Sequence, residues 1–288
     1  MSEAETISRV KRPNTVDSLT TELRALGVQS GDLLLVHSSL SALGWTAGGP
    51  HAVVLALLEA LGPDGTLVMP THSGQYTDPA GWEAPPVPAD WIATIRSSRP
   101  AFDPDMTPTR GMGAIVECFR THPKTLRSLH PIYSFAANGP LAEAVTRHEF
   151  DFGLGEGSPL RHLYDRNARV LLLGVGYECC TSLHLAEHRA DLELGVDSCT
   201  LPVRDGEGVK WVTFEELDVD SDDFAKLGLE WERHISEIRV DVSNGASGNA
   251  GEHPPLSRGS VGAAVCRLLE QRPLVDYASS RLPTIRRR

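Results

Sequence analysis

RVLLLGVGYECCTSLHLAEHR, residues 169–189, is the stretch whose reading decides the fold. Residues 170–175 form a continuous apolar run too short for a helix of its own. Such a run reads as a strand buried on both faces, the kind found inside a parallel sheet. Gly174 and Gly176 let the backbone turn sharply, and Thr181 is placed to cap a helix over residues 182–189. Open α/β sheets bind ligands where a strand's carboxyl end meets a helix amino end. The helix carries His184 and Glu187 three residues apart, hence on one face. A carboxylate at that spacing orients an imidazole and stabilises its charged form. On spacing alone the pair is equally a solvated helical face. Its place after a buried strand is what favours the catalytic reading.

Outward from this stretch the same alternation repeats. Residues 16–25 are an amphipathic helix ended by Gly27. Residues 33–36 are a buried strand running into His37-Ser38-Ser39-Leu40, small hydroxyl residues that either bond a ligand or simply cap. A helix over residues 50–61 and a strand at residues 65–70 follow. Strands alternating with helices predict an α/β fold with a mainly parallel central sheet and helices on both faces. Residues 72–110 are rich in Pro and Trp, and a loop of that length is usually a lid or a binding surface. Gly111-Met112-Gly113 then opens a helix, a weak anion-holding signal by itself. Further expectations are a strand at residues 133–137, helices at 141–148 and 160–164, and a hairpin of 200–204 with 209–214 around Asp205-Gly206. The acidic residues 218–223 read as solvated, residues 224–235 as helix, residues 243–255 as a flexible loop and residues 260–271 as a final helix. Residues 1–14 read as a loose arm and the terminal RLPTIRRR as a mobile basic tail. No repeat and no linker divides the chain, so it reads as a single domain, 1–288, with its core at about 16–279.

The bulk properties exclude several classes. A net charge of −11 disfavours nucleic acid, whose binders carry basic stripes, and suits a cationic ligand. Five cysteines without framework spacing read as reduced thiols in the cytoplasm. No run approaches the roughly 20 apolar residues of a membrane span, and the amino end lacks the apolar segment of a secretory signal.

Several stretches, in order, resemble the aminoglycoside N(3)-acetyltransferase (antibiotic N-acetyltransferase) family. They are LLVHSSLSALGW, GTLVMPTHSG, PPVPADW, FDPDMTPTRGMG, LRSLHPIYSFAANGP, VLLLGVG with TSLHLAEHR, and GSVGAAVCRLL with LVDYA. Each is weak alone; the ordered set is specific. The resemblance implies an α/β fold unrelated to the commoner acetyltransferase fold, acetyl-CoA as donor without a metal, and the 3-amine of a 2-deoxystreptamine ring as acceptor. The activity it implies confers aminoglycoside resistance. It places acetyl-CoA along His37, Ser38, Ser39 and Leu40 and along Thr107, Pro108, Met112 and Gly113. Arg127, Ser128 and His130 are candidates for the same cleft, although His130-Pro131 could simply fix a turn. Amide formation from a thioester needs a neutral amine, so a base must take a proton. His184 oriented by Glu187 suits that role, with direct transfer and no acyl-enzyme. A polycationic acceptor calls for carboxylates, and Asp78, Asp103 and Glu178 are the candidates. Asp103 is equally placed to cap the turn before Pro104. Homodimer formation is left open.

Other classes compete. His184–His188 spells H-x-x-E-H, the pattern of inverted zinc proteases. Cys179 or Cys180 beside His184 could act as an acyl-accepting nucleophile, or be small buried hydrophobes. The chain could acylate a different amine, or bind cationic ligands without catalysis.

Overall fold

The computed structural model describes residues 2–83, 85–243 and 255–286. Among the described residues there are nine strands: β1 Leu33–Ser38, β2 Thr66–Pro70, β3 Leu126–Arg127, β4 Phe135–Asn138, β5 Arg169–Leu173, β6 Val196–Asp205, β7 Gly208–Leu217, β8 Leu256–Val261 and β9 Ala264–Glu270. Seven build one sheet in the order β3-β4-β2-β1-β5-β9-β8. Only β2, β1 and β5 run parallel; β3, β4, β8 and β9 pair antiparallel. The α/β fold with two helical layers is therefore present, but the sheet is mixed rather than mainly parallel.

The central strands explain why their sequences are apolar without alternation. Leu34, Val36, Leu171 and Leu173 pack under the helices Val16–Leu26, Gly49–Leu61 and Ala114–Arg120. Leu33, Leu35, Val170 and Leu172 point the other way, into Pro159–Asp165, Ser182–Arg189, Phe224–Ser243 and Gln271–Arg286. Successive side chains leave a strand on opposite faces, so a strand buried twice needs apolar residues throughout. A third cluster joins Phe102, Tyr76 and Ile132 to the separate hairpin β6-β7. Phe102 pins the long 72–110 segment to that hairpin: its N–H donates to the Pro202 carbonyl, and Arg204 N–H donates to its own (both 2.8 Å).

Three expectations are corrected here. Residues 260–271 are not a helix but the hairpin β8-β9, turning at Gly262 with φ 55°. The stretch VGAAVCRLL satisfies both periodicities; the Gly-centred turn and edge pairing decide for strands. As far as residue 286 the terminal basic stretch is not a tail, since Arg281–Arg286 complete the helix Gln271–Arg286 despite Pro283. The amino arm holds a short helix, Glu3–Ser8, closed by a reciprocal Ser2–Glu5 capping box. The loop expected at 243–255 lies almost wholly outside the described residues.

The parallel trio sets where the site can be. β1 sits between β2 and β5, so the chain leaves it toward opposite sides, and the carboxyl ends of all three strands open at one edge. That is the crevice where open α/β sheets bind ligands.

Candidate active site

Each parallel strand delivers functional groups to this edge. β1 ends in His37 and Ser38, β2 runs into Thr71 and His72, and β5 runs through Gly174 into Tyr177–Cys179 and the helix Ser182–Arg189. Gly174 has φ 74°, and a Cβ there would lie 2.5 Å from that of Ala42, so the turn requires glycine. Thr181 does not cap the following helix. Its φ/ψ of −54°/−25° are already helical and its side chain makes no cap bond, because the preceding turn feeds straight in.

His184 and Glu187 form a hydrogen-bonded pair, Nδ1 to Oε2 at 2.5 Å. The Glu187 side chain is fully buried and that of His184 is 17 % exposed. Glu187 Oε1 accepts from the Asp220 N–H at 2.9 Å and from Arg286 Nη1 at 2.6 Å. The carboxylate thus fixes the imidazole proton on Nδ1 and leaves Nε2 as the basic nitrogen. The acidic 218–223 segment is solvated as expected at Asp218, Asp220 and Asp222, while its backbone reaches the pair through the Asp220 N–H.

His184 lines a cavity of about 290 Å³ together with His37, His72, Glu178, Cys179 and Ser221. Burial, then the charge of His184, pushes His37 down to about 3, and burial does the same to His72. Both rings are neutral at any working pH. His37 Nε2, His72 Nε2 and Ser38 Oγ are buried without a protein partner. Beside this cavity runs a groove of about 840 Å³ lined by Ser39, Leu40, Trp45, Met112 and Gly113, with Ser2, Glu3 and Thr6 of the amino-terminal helix as its wall. Ser38, Gly111, Met112, Val175 and Cys179 border both spaces. A Cβ added at Gly49, Gly111 or Gly113 would meet nothing within 4 Å, so the groove is open there.

The sequence candidates divide clearly. His37, Ser38, Ser39, Leu40, Met112, Gly113, Glu178 and His184 are brought together, with Glu187 behind them. Thr107 and Pro108 are not: Thr107 Oγ1 accepts from Asp103 N–H at 2.9 Å, and the Pro108 carbonyl accepts from Gln75 at 2.7 Å. Asp103 caps its own turn, accepting from the N–H groups of Asp105 and Met106, and reaches Arg204 at 3.3 Å. Asp78 pairs with Arg96 at 2.7 Å beside a different cavity, with Tyr76 and Trp211. Arg127 lies beneath the long loop and donates to the Thr71 carbonyl at 2.7 Å and the Thr107 carbonyl at 2.5 Å; burial lowers it to about 10. Ser128 Oγ accepts from Phe135 N–H. His130 Nδ1 accepts from Tyr133 N–H at 3.0 Å, while Nε2 faces the Phe150 carbonyl at 2.9 Å, so this ring fixes a turn.

Missed from the sequence were His72, Ser221, Asp220 and Arg286. His72 had a signal: like His37, it follows a buried strand, in VMPTH as in LLVHS. The rival chemistries find little support. His188 packs edge-on against Phe152, and burial lowers it to about 4. Glu187 is committed to His184, Asp220 and Arg286. Among the described residues no group of three or more His, Cys, Asp or Glu could hold a metal ion. Burial pushes Cys180 up to about 12 and raises Cys179 as well, so neither thiol is poised as a nucleophile. No helix among the described residues is long and apolar enough to cross a membrane.

Comparison with known proteins gives the same frame. An aminoglycoside N(3')-acetyltransferase-like protein of Bacillus subtilis, prophage-derived YokD, is 40% identical over 268 residues, 92% of this chain and 91% of the relative. Its crystal structure superposes with a TM-score of 0.85 at 38% identity, covering 96% of each chain. Aminoglycoside N(3)-acetyltransferase VII of Streptomyces paromomycinus is 35% identical, over 96% of this chain and 94% of its own. AAC-IIIb, solved as a binary complex with CoASH, matches with a TM-score of 0.79 at 30% identity, over 95% of this chain and 98% of that one. With residues 35–283 also matching the family's sequence pattern, the chain belongs to the aminoglycoside 3-N-acetyltransferase family.

Proposed function

We propose that this enzyme transfers an acetyl group from acetyl-CoA to the 3-amino group of the 2-deoxystreptamine ring of aminoglycosides, and so confers resistance to them. The observation that carries the reading is the His184–Glu187 pair set where a long open groove meets a small cavity. The groove is the donor side. Its open glycines, small hydroxyl residues and Trp45 suit a thin amide-bearing arm, and AAC-IIIb, of the same fold, takes CoASH. Acetyl-CoA supplies an activated acyl thioester. The rest is done by the chain's own residues. His184 Nε2 takes the proton from the acceptor amine as its nitrogen bonds the acyl carbon; the C–S bond then breaks and CoA leaves as its thiol with that proton, while Glu187 holds the ring in the tautomer that allows it. Ser38 Oγ, buried and unpartnered at the shared border, donates toward the acyl oxygen as charge builds there. Neutral His37 and His72 add no positive charge to repel a polycation.

The direct test is thiol release from acetyl-CoA with a panel of aminoglycosides, followed by mapping the acetylated nitrogen. Release with product acetylated at N3 is expected; no release with any of them overturns the reading.

Two further results are expected. Ser39→Phe narrows the groove without touching the His184 cavity, so steady-state kinetics should show KM for acetyl-CoA rising more than KM for the acceptor. The opposite split would place the groove on the acceptor side. Of the three acids, only Glu178 lines the cavity. Glu178→Gln should therefore weaken acceptor binding in calorimetry, and more so at low salt, where partly desolvated charge is least screened. Neutralising Asp78 or Asp103 should leave acceptor binding unchanged.

A further inference from the structure

We infer that Arg286, on the last turn of the helix Gln271–Arg286, is a positioning residue that supplies the countercharge keeping the His184–Glu187 pair ready to accept a proton. The inference rests on the reading of His184 as base. Glu187 has two oxygens and three donors. His184 Nδ1 takes Oε2; the Asp220 N–H and Arg286 Nη1 share Oε1. Arg286 is itself held from the far side, with Nη2 donating to the Asp220 carbonyl at 2.6 Å and Nε 3.4 Å from Asp223 Oδ2. Its side chain is 15 % exposed. The guanidinium thus ties together the catalytic helix, the 218–223 segment and the last helix.

The sign of its effect follows from charge alone. The pair carries one negative charge when ready to act and none once protonated. A cation in hydrogen-bond contact opposes that protonation wherever the proton sits, on imidazole or carboxylate. The other ionisable groups around the pair do not supply this. His37 and His72, from the ends of two strands, and His188, from the same helix, are neutral in the working range. Glu178, Asp220 and Asp223 carry negative charge, and burial raises the Tyr133 phenol, so that it stays uncharged. Among the described residues, Arg286 is the cation that touches Glu187.

The experiment is kcat/KM for the acceptor against pH, at saturating acetyl-CoA, for wild type, Arg286→Met, Arg286→Lys and His184→Gln, with Tm for each. The acceptor's own amines contribute equally in every profile. In Arg286→Met the acid limb should move up by about one pH unit, the lower end for a close charge. In Arg286→Lys, which keeps the charge, the limb should stay near that of wild type, and KM for acetyl-CoA should be unchanged in both. A residue that only anchored the last helix would lower Tm in both variants and leave the limb in place. If Arg286→Met does not fold, Arg286→Gln reads the same loss of charge. Turnover surviving in His184→Gln overturns the base reading and this inference with it. Turnover lost in His184→Gln, with an unmoved limb in the neutral variant or an equal shift in the lysine variant, overturns the inference alone.

Discussion

His184→Ala is expected to lower kcat/KM at least a hundredfold while Tm changes little. General-base catalysis contributes typically about 10² to 10⁴ in rate. The loss should fall on kcat, because the groove that the proposed function gives to the donor is lined by other residues. The ring packs against Phe224 with centroids 4.8 Å apart and is partly exposed, so its removal opens space at a cavity wall rather than in the core. Near-normal turnover by a folded His184→Ala protein would falsify the assignment of the base.

Glu187→Gln should cost nearly as much. From spacing alone a smaller loss is expected, since the imidazole remains. The three partners change that expectation. His184 Nδ1, the Asp220 N–H and Arg286 all donate to Glu187. A carboxylate has acceptors for all three; an amide has one oxygen and an NH₂. If the glutamine oxygen keeps Arg286 and Asp220, its NH₂ faces His184 Nδ1, which must then give up its proton and become an acceptor. That moves the ring proton to Nε2, the nitrogen that has to be bare. The equivalent change in a serine protease triad, where a buried carboxylate orients the histidine, costs about 10⁴ in kcat. If the amide flips instead, its NH₂ faces the Arg286 guanidinium and the Asp220 N–H, setting donor against donor around a largely buried cation, which destabilises. The expected result is a large fall in kcat, a fall in Tm, or both. A Glu187→Gln protein with wild-type Tm and only a few-fold lower kcat would show that the carboxylate neither sets the tautomer nor holds Arg286.

The parts of the fold and site that could be read from sequence are those encoded locally. Apolar runs marked β1, β2 and β5, and Asp205-Gly206 marked the β6-β7 turn, because a doubly buried strand and a tight turn each leave a local imprint. His184 and Glu187 were readable for the same reason, lying three apart on one helix after a buried strand. The antiparallel outer strands were not, since pairing partners far apart in the chain decide direction. Residues 260–271 carried an apolar pattern compatible with either period, and only the turn at Gly262 separates them. Arg286 meets Glu187 across 99 positions, and the RLPTIRRR stretch that carries it reads as a basic tail. Asp103 and Asp78 looked like ligands for a cation because nothing in sequence shows that Arg204 and Arg96 already hold them.

The groove and the cavity share five lining residues. Under the proposed function, the two substrates approach each other across this shared border. A single molecule joining an aminoglycoside amine to a pantetheine-like arm by a short linker would therefore fill both compartments at once. Once either half is seated, the other is held at a high effective concentration, so such a conjugate gains affinity with no new contact. The shared border makes this enzyme a favourable target for bisubstrate inhibitors whose linker runs along it.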